Sequence, residues 1–129
     1  VTDLKGNEGL HIISDFYFCE NKKVLLNHEI FTEKLLTYIK DNGMNPFGHL
    51  LKYFGEDKNS GYTLIIGLEE SHISLHTFPL EHEEEKCSLD VYTCSISKDN
   101  GLACKKVYQF LLEVFQPKEV RNEHLIERI

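Results

Sequence analysis

Strand-type segments that follow one another in the middle of this chain, closed off on both sides by stretches of helical period, leave it few ways to fold. Strands are read at Phe47 to Phe54, Tyr62 to Leu68, His72 to Phe78 and Ser88 to Cys94. Ahead of them, Leu10, Ile12, Ser14, Phe16 and Phe18 alternate against His11, Ile13, Asp15 and Tyr17, the period-two signature of a first strand. From Asn27, apolar residues at Ile30, Phe31, Leu35, Leu36 and Ile39 recur at helical spacing, and Asn42-Gly43 closes that helix. Leu102 to Phe115 repeats the helical period with Val107, Phe110, Leu111, Val114 and Phe115 facing inward, and Lys118 to Leu125 adds a last strand. Written as β-α-β-β-β-α-β, this order predicts an α+β fold: a two-layer α/β sandwich, an antiparallel sheet with two helices on one face. No repeat or linker interrupts residues 1–129, which read as one domain, and a hydrophobic content of 41% supplies its core.

Charge narrows the partners. The net charge is −7 and no basic stripe occurs, which argues against nucleic acid. An acidic balance suits a cationic substrate or product, and it suits solubility equally. The cysteines at 19, 87, 94 and 104 form no Cys-x-x-Cys pair, the amino terminus is not signal-like, and no apolar run approaches the ~20 residues of a membrane span. The expected setting is cytoplasmic and reduced, with no membrane partner.

Chemistry concentrates in Glu69-Glu70-Ser71-His72-Ile73-Ser74-Leu75-His76-Thr77-Phe78-Pro79 and in Asp90-Val91-Tyr92-Thr93-Cys94. Six hydroxyl, imidazole or carboxylate side chains fall between Glu69 and His76, in a segment whose alternation is that of a strand. A sheet alone needs none of them there. Serine, histidine and cysteine in this density are the parts of a covalent catalyst. Strict alternation points Ser71 and His76 to opposite faces, so their pairing predicts a bend or bulge near residue 71.

These two blocks, together with Gly9-Leu10-His11 and Asp15-Phe16-Tyr17, resemble the processing and active-site motif of the pyruvoyl-dependent S-adenosylmethionine decarboxylases, in their short prokaryotic form. The resemblance implies that the Ser71 hydroxyl attacks the carbonyl of Glu70, and that the ester so formed is eliminated and hydrolysed. The chain is thereby cut into a β chain, 1–70, and an α chain, 71–129, whose first residue has become a pyruvoyl group. That group forms a Schiff base with the substrate amine and takes up the electrons released with carbon dioxide, and no metal is expected. By the same resemblance His76 is the processing base and Cys94 the proton donor in turnover, types suited by intrinsic pKa values of about 6.5 and 8.5. The processing hydroxyl falls on Thr63 by gap-free counting, or on Ser60 if a three-residue insertion is allowed. Asp15 and an aromatic, Phe54 or Tyr53, fall in the substrate-binding set. His72 reads as a structural hydrogen-bonding residue. The implied assembly is a homodimer of processed protomers, and the implied product is decarboxylated S-adenosylmethionine for spermidine biosynthesis.

Two departures bear on the substrate. Phe78-Pro79-Leu80 stands where the family has Trp-Pro-Glu, and leucine cannot accept the ribose hydrogen bonds that the glutamate takes. The connection to Cys94 also carries about three extra residues within Glu81 to Lys86, so that Glu81 can enter the vacated role. An ornithine or arginine decarboxylase on the same scaffold is the competing activity. A non-processing regulatory relative, and a metal-binding module on His72, His76, His82 and Cys87, are the competitors outside catalysis.

Overall fold

Alternation in the strands and helical period in the flanking segments dictate which side chains share a face. The computed structural model describes residues 9–55, 58–94 and 100–128. The elements are β1 (Gly9–Cys19), α1 (Lys22–Leu26), α2 (Thr32–Asp41), β2 (Pro46–Tyr53), β3 (Tyr62–Leu68), β4 (Ser71–Phe78), β5 (Lys86–Cys94), α3 (Gly101–Phe115) and β6 (Pro117–Arg128). Six strands form one sheet in the order β2-β3-β4-β5-β1-β6, and every pairing is antiparallel. Ile12, Phe16, Leu64, Ile66, Ile73, Leu75 and Val91 are buried in a common core with Leu35 and Ile39 of α2 and Val107, Leu111 and Phe115 of α3. The α+β sandwich expected from the sequence is the fold observed, with the helices on one face.

Three details differ from the expected order. Four strands lie between the helical segments, as the four strand segments read there require and one more than the order β-α-β-β-β-α-β counts. A five-residue helix, α1, precedes α2 and buries Val24 and Leu25; so short a segment carries too few turns to establish a period. Helical structure does not run on from Asn27, whose side chain accepts the Glu29 N–H at 2.9 Å and caps a separate 3₁₀ turn, His28–Ile30. Ile30 is accordingly 44% exposed and no part of the core.

The other face of the sheet is bare and mixed. His11, Asp15, Thr63, Ser74, His76, Ser88 and Asp90 alternate there with the buried set, beside the exposed apolar side chains Leu50, Ile65 and Ile13. Phe47, 74% exposed, lies across Gly67. Among the described residues no helix is long and apolar enough to cross a membrane.

Candidate active site

The hairpin between β3 and β4 has a link of two residues, Glu69 and Glu70, closed by the pair Leu68 and Ser71. Such short links favour residues of positive φ, and neither glutamate has one. Asn45 fastens the link instead. Its carbonyl accepts the Glu69 N–H at 2.9 Å, while its own N–H and its side-chain amide each donate to the Glu70 carboxylate at 2.9 Å. No linear pattern ties position 45 to position 70, so the sequence reading missed it. On the other side of β4, the Cys94 N–H donates to the Glu70 carbonyl oxygen at 2.7 Å. Residue 70 is therefore held from two sides, its carboxylate by Asn45 just ahead of β2 and its carbonyl by Cys94 at the end of β5, with Ser71 opposite Thr93 and next to Cys94.

Behind Ser71 runs a polar chain on the bare face. The Ser71 Oγ is 3.4 Å from His72 Nδ1, and His72 Nε2 is 2.9 Å from an Asp90 carboxylate oxygen. His11 Nε2 meets that same oxygen at 2.7 Å, and Ser74 donates to the other. Arg128 donates to His11 Nδ1 at 3.1 Å and lies over the Tyr92 ring. The Asp90 carboxyl is raised by burial, but the hydrogen bonds from Ser74, His11 and His72 outweigh that and hold it below the usual carboxylate range. His11, His72 and Asp90 also offer ligand atoms within 4.8 Å of one another. The guanidinium on His11 opposes a second cation there, and the donors already fill the carboxylate.

A folded-state value below the unfolded one means that Asp90 contributes stability in full above about pH 4, the unfolded carboxylate range. That contribution disappears as pH falls through the lowered folded value. Asp90→Asn is expected to lack it at every pH, so the stability gap between wild type and variant should close on acidification. Denaturant midpoints measured across pH 2–7 check this.

His76 and Thr63 are elsewhere. Their side chains meet, Thr63 Oγ1 at 2.8 Å from His76 Nδ1, across an in-register β3–β4 pair. Ser60 belongs to the 3₁₀ turn Lys58–Ser60 before β3, and it is Thr63 that His76 touches. The bend expected near residue 71 is absent: the ladders of β4 to β3 and to β5 run without a shift from Ser71 to its far end. Five residues of extended chain put His76 roughly 16 Å from Ser71. Asp15 lines the same shallow depression as His76, and its carboxylate accepts from Asn122 at 2.8 Å. Phe54 stacks on Phe78 with ring centroids 6.1 Å apart, also at this end, whereas Tyr53 packs against Tyr62 and the core. Glu81 is exposed in a 3₁₀ turn just past β4.

The predicted residues thus fall into two sets, Glu70, Ser71 and Cys94 at one end of the sheet and Phe54, Thr63, His76, Asp15 and Glu81 at the other. The metal-module set does not converge, because Cys87 is buried on the helical face and His72 and His76 lie on the bare one. Burial pushes the Cys19 thiol to about 12 and Cys104 to about 11, and raises Cys87 as well. Cys94 is the cysteine with partial exposure.

Known proteins of similar sequence and fold point to one family. A sequence profile described as S-adenosylmethionine decarboxylase matches residues 10–128. An S-adenosylmethionine decarboxylase proenzyme of Persephonella marina is 36% identical over 121 residues, 93% of this chain and 81% of that protein. One from a Sulfurihydrogenibium species is 32% identical over 123 residues, again 93% and 81%. The crystal structure of the adenosylmethionine decarboxylase from Aquifex aeolicus superposes with a TM-score of 0.75 at 25% identity, covering 95% of this chain and 91% of that one.

Proposed function

We propose, from the premise that this chain belongs to the S-adenosylmethionine decarboxylase family, that it cuts itself between Glu70 and Ser71 and then decarboxylates S-adenosylmethionine. The observation that carries the reading is the contact of the Glu70 carbonyl with the Cys94 N–H at 2.7 Å. It polarises the carbonyl that the Ser71 hydroxyl must attack, and it sets Cys94 beside the residue where the reaction takes place. The residues fit a pyruvoyl group at position 71, since Ser71 opens a strand at the edge of a polar cluster and is partly exposed. Such a group supplies the electron sink for carbon dioxide loss. Glu70, held by Asn45, keeps the carbonyl side of the cut in place, and Cys94 returns a proton to the substrate carbon.

His76, with Thr63 bonded to it, cannot reach Ser71 of its own chain across roughly 16 Å of extended strand. We infer a homodimer in which the bare faces pack together about a two-fold axis. With that axis lying between the sheets and running across the strands, one end of a sheet sits against the opposite end of its partner. Phe54, Thr63, His76, Asp15 and Glu81 of one protomer then complete the site begun by Glu70, Ser71 and Cys94 of the other. Exposed Phe47, Leu50, Ile65 and Ile13 give that face apolar surface to bury. Thr63 then orients His76 for removal of the α-proton of residue 71, Phe54 stacks on the base, and Asp15 and Glu81 contact the polar parts of the substrate.

The product, decarboxylated S-adenosylmethionine, is an aminopropyl donor of the kind spermidine synthesis uses. Four thiols without disulfides suit a reducing, cytoplasmic setting.

Intact mass tests the cleavage. Wild type is expected as fragments of residues 1–70 and 71–129, the second reacting with a carbonyl trap, and Ser71→Ala as one chain of 15.0 kDa. A cut that persists in Ser71→Ala would point to a protease. Carbon dioxide release from S-adenosylmethionine, ornithine and arginine tests the substrate, and turnover of a basic amino acid alone would refute it. Leu80 offers no acceptor, so Glu81 carries the ribose contact in this reading; Glu81→Gln is expected to raise KM for S-adenosylmethionine about tenfold, with kcat little changed.

A further inference from the structure

Self-cleavage needs two different proton transfers at residue 71, and this structure puts an imidazole at the first of them. We propose that His72 takes the hydroxyl proton of Ser71 when the Glu70–Ser71 peptide becomes an ester, with Asp90 as its positioning residue. The inference rests on the self-processing reading above and adds a residue that the sequence motif left as a structural hydrogen-bonding one.

Hydrogen-bond logic fixes the tautomers. Arg128 can only donate, so the His11 Nδ1 it contacts at 3.1 Å is an acceptor, and His11 carries its proton on Nε2, toward Asp90. The Asp90 carboxylate can only accept, so His72 likewise donates from Nε2 at 2.9 Å. Neutral His72 is left with a lone pair on Nδ1, and the atom facing it, at 3.4 Å, is the Ser71 Oγ. Hydroxyl, imidazole and carboxylate are thus connected in the order that activates a serine, and in catalytic groups awaiting reaction such contacts are commonly long. His11 and Ser74 hold the carboxylate from two further directions, which keeps it from swinging away from His72.

The step balances within the chain. Ser71 Oγ bonds to the Glu70 carbonyl carbon as its proton passes to His72 Nδ1, and the carbonyl oxygen takes the charge against the Cys94 N–H. The carbon–nitrogen bond then breaks, and the proton on His72 passes to the nitrogen of Ser71. No atom enters or leaves. His76, at the other end of the sheet, is kept for the later removal of the α-proton.

Hydroxylamine, which cleaves esters and spares peptides, separates the two steps. With wild type maturing normally, freshly made His72→Gln is expected to stay at full length, at least 100-fold slower to mature, and to give no fragment with hydroxylamine. His76→Gln is expected to hold the ester and to release residues 1–70 as a hydroxamate. His72→Gly should regain cleavage with added imidazole, which only a correctly folded chain can do. Asp90→Asn should slow ester formation tenfold or more, with Asp90→Glu partly restoring it. His72→Gln maturing at the wild-type rate, or yielding the hydroxamate as readily as His76→Gln, overturns the proposal, as does a folded His72→Gly chain that imidazole leaves unchanged. Wild type that never cleaves sinks the self-processing reading itself, which is a different result from a defect confined to the His72 variants.

Discussion

Ser71→Ala and His76→Ala chains, each inert alone, are expected to restore cleavage when produced together. In a mixed dimer one composite site joins the intact Ser71 of the His76→Ala chain to the intact His76 of the Ser71→Ala chain, and the other site has neither. Random pairing of equal amounts places about half of the His76→Ala chains beside a complementing partner, so about half of them should be cut. Ser71→Ala chains should stay whole in every mixture. Mass spectrometry of co-expressed, differently tagged chains reads both numbers. A mixture as inert as its components would mean that His76 acts within its own protomer or not at all, and would remove the case for a shared site, which stands on the unbroken β4 ladders and the Thr63 contact.

Gly61→Ala is expected to cost about 3–5 kcal/mol of stability and roughly 10–20 °C in Tm. Gly61 has a φ of 103°, where side chains are disfavoured, and an added Cβ would lie 2.3 Å from the Thr77 carbonyl oxygen and 2.9 Å from Pro79 Cδ. The backbone there has little freedom to yield. Thr77 is buried, its hydroxyl donates to the Leu25 carbonyl at 2.8 Å, and it accepts the Tyr62 N–H at 3.0 Å. Gly48→Ala is the matched control, since nothing lies within 4 Å of its Cβ, and its melting temperature should stay within a few degrees of wild type. A small effect at Gly61 would mean that the β3–β4 end of the sheet relaxes far more readily than its hydrogen bonds imply. The same variant should slow any reaction that uses His76, because Tyr62 and Thr77 flank the Thr63–His76 pair in sequence.

The sheet was legible because each strand repeats its burial rule: Ile73, Leu75 and Thr77 go under the helices, and Ser74 and His76 do not. Helix α2 was legible from Leu35 and Ile39 and from the Asn42-Gly43 stop, where Gly43 has a φ of 83°. What the pattern could not show were contacts between residues far apart in sequence. Asn45 on Glu70 and Asp90 between His11 and His72 depend on which strands become neighbours, and β1 lies beside β5 only in the folded sheet. Alternation did place Ser71 and His76 on opposite faces. The expected remedy, a bend, does not occur: the regular ladder costs the strand nothing and leaves the two side chains at separate ends.

The strand order decides what a nick at residue 70 would do. β1, β2 and β3 would belong to one fragment and β4, β5 and β6 to the other, yet β1 is threaded between β5 and β6. The two pieces would share three seams, β3 with β4, β5 with β1 and β1 with β6. Parting them would mean unzipping all three at once and exposing the common core, so the halves should co-purify as one particle until a denaturant melts the whole sheet.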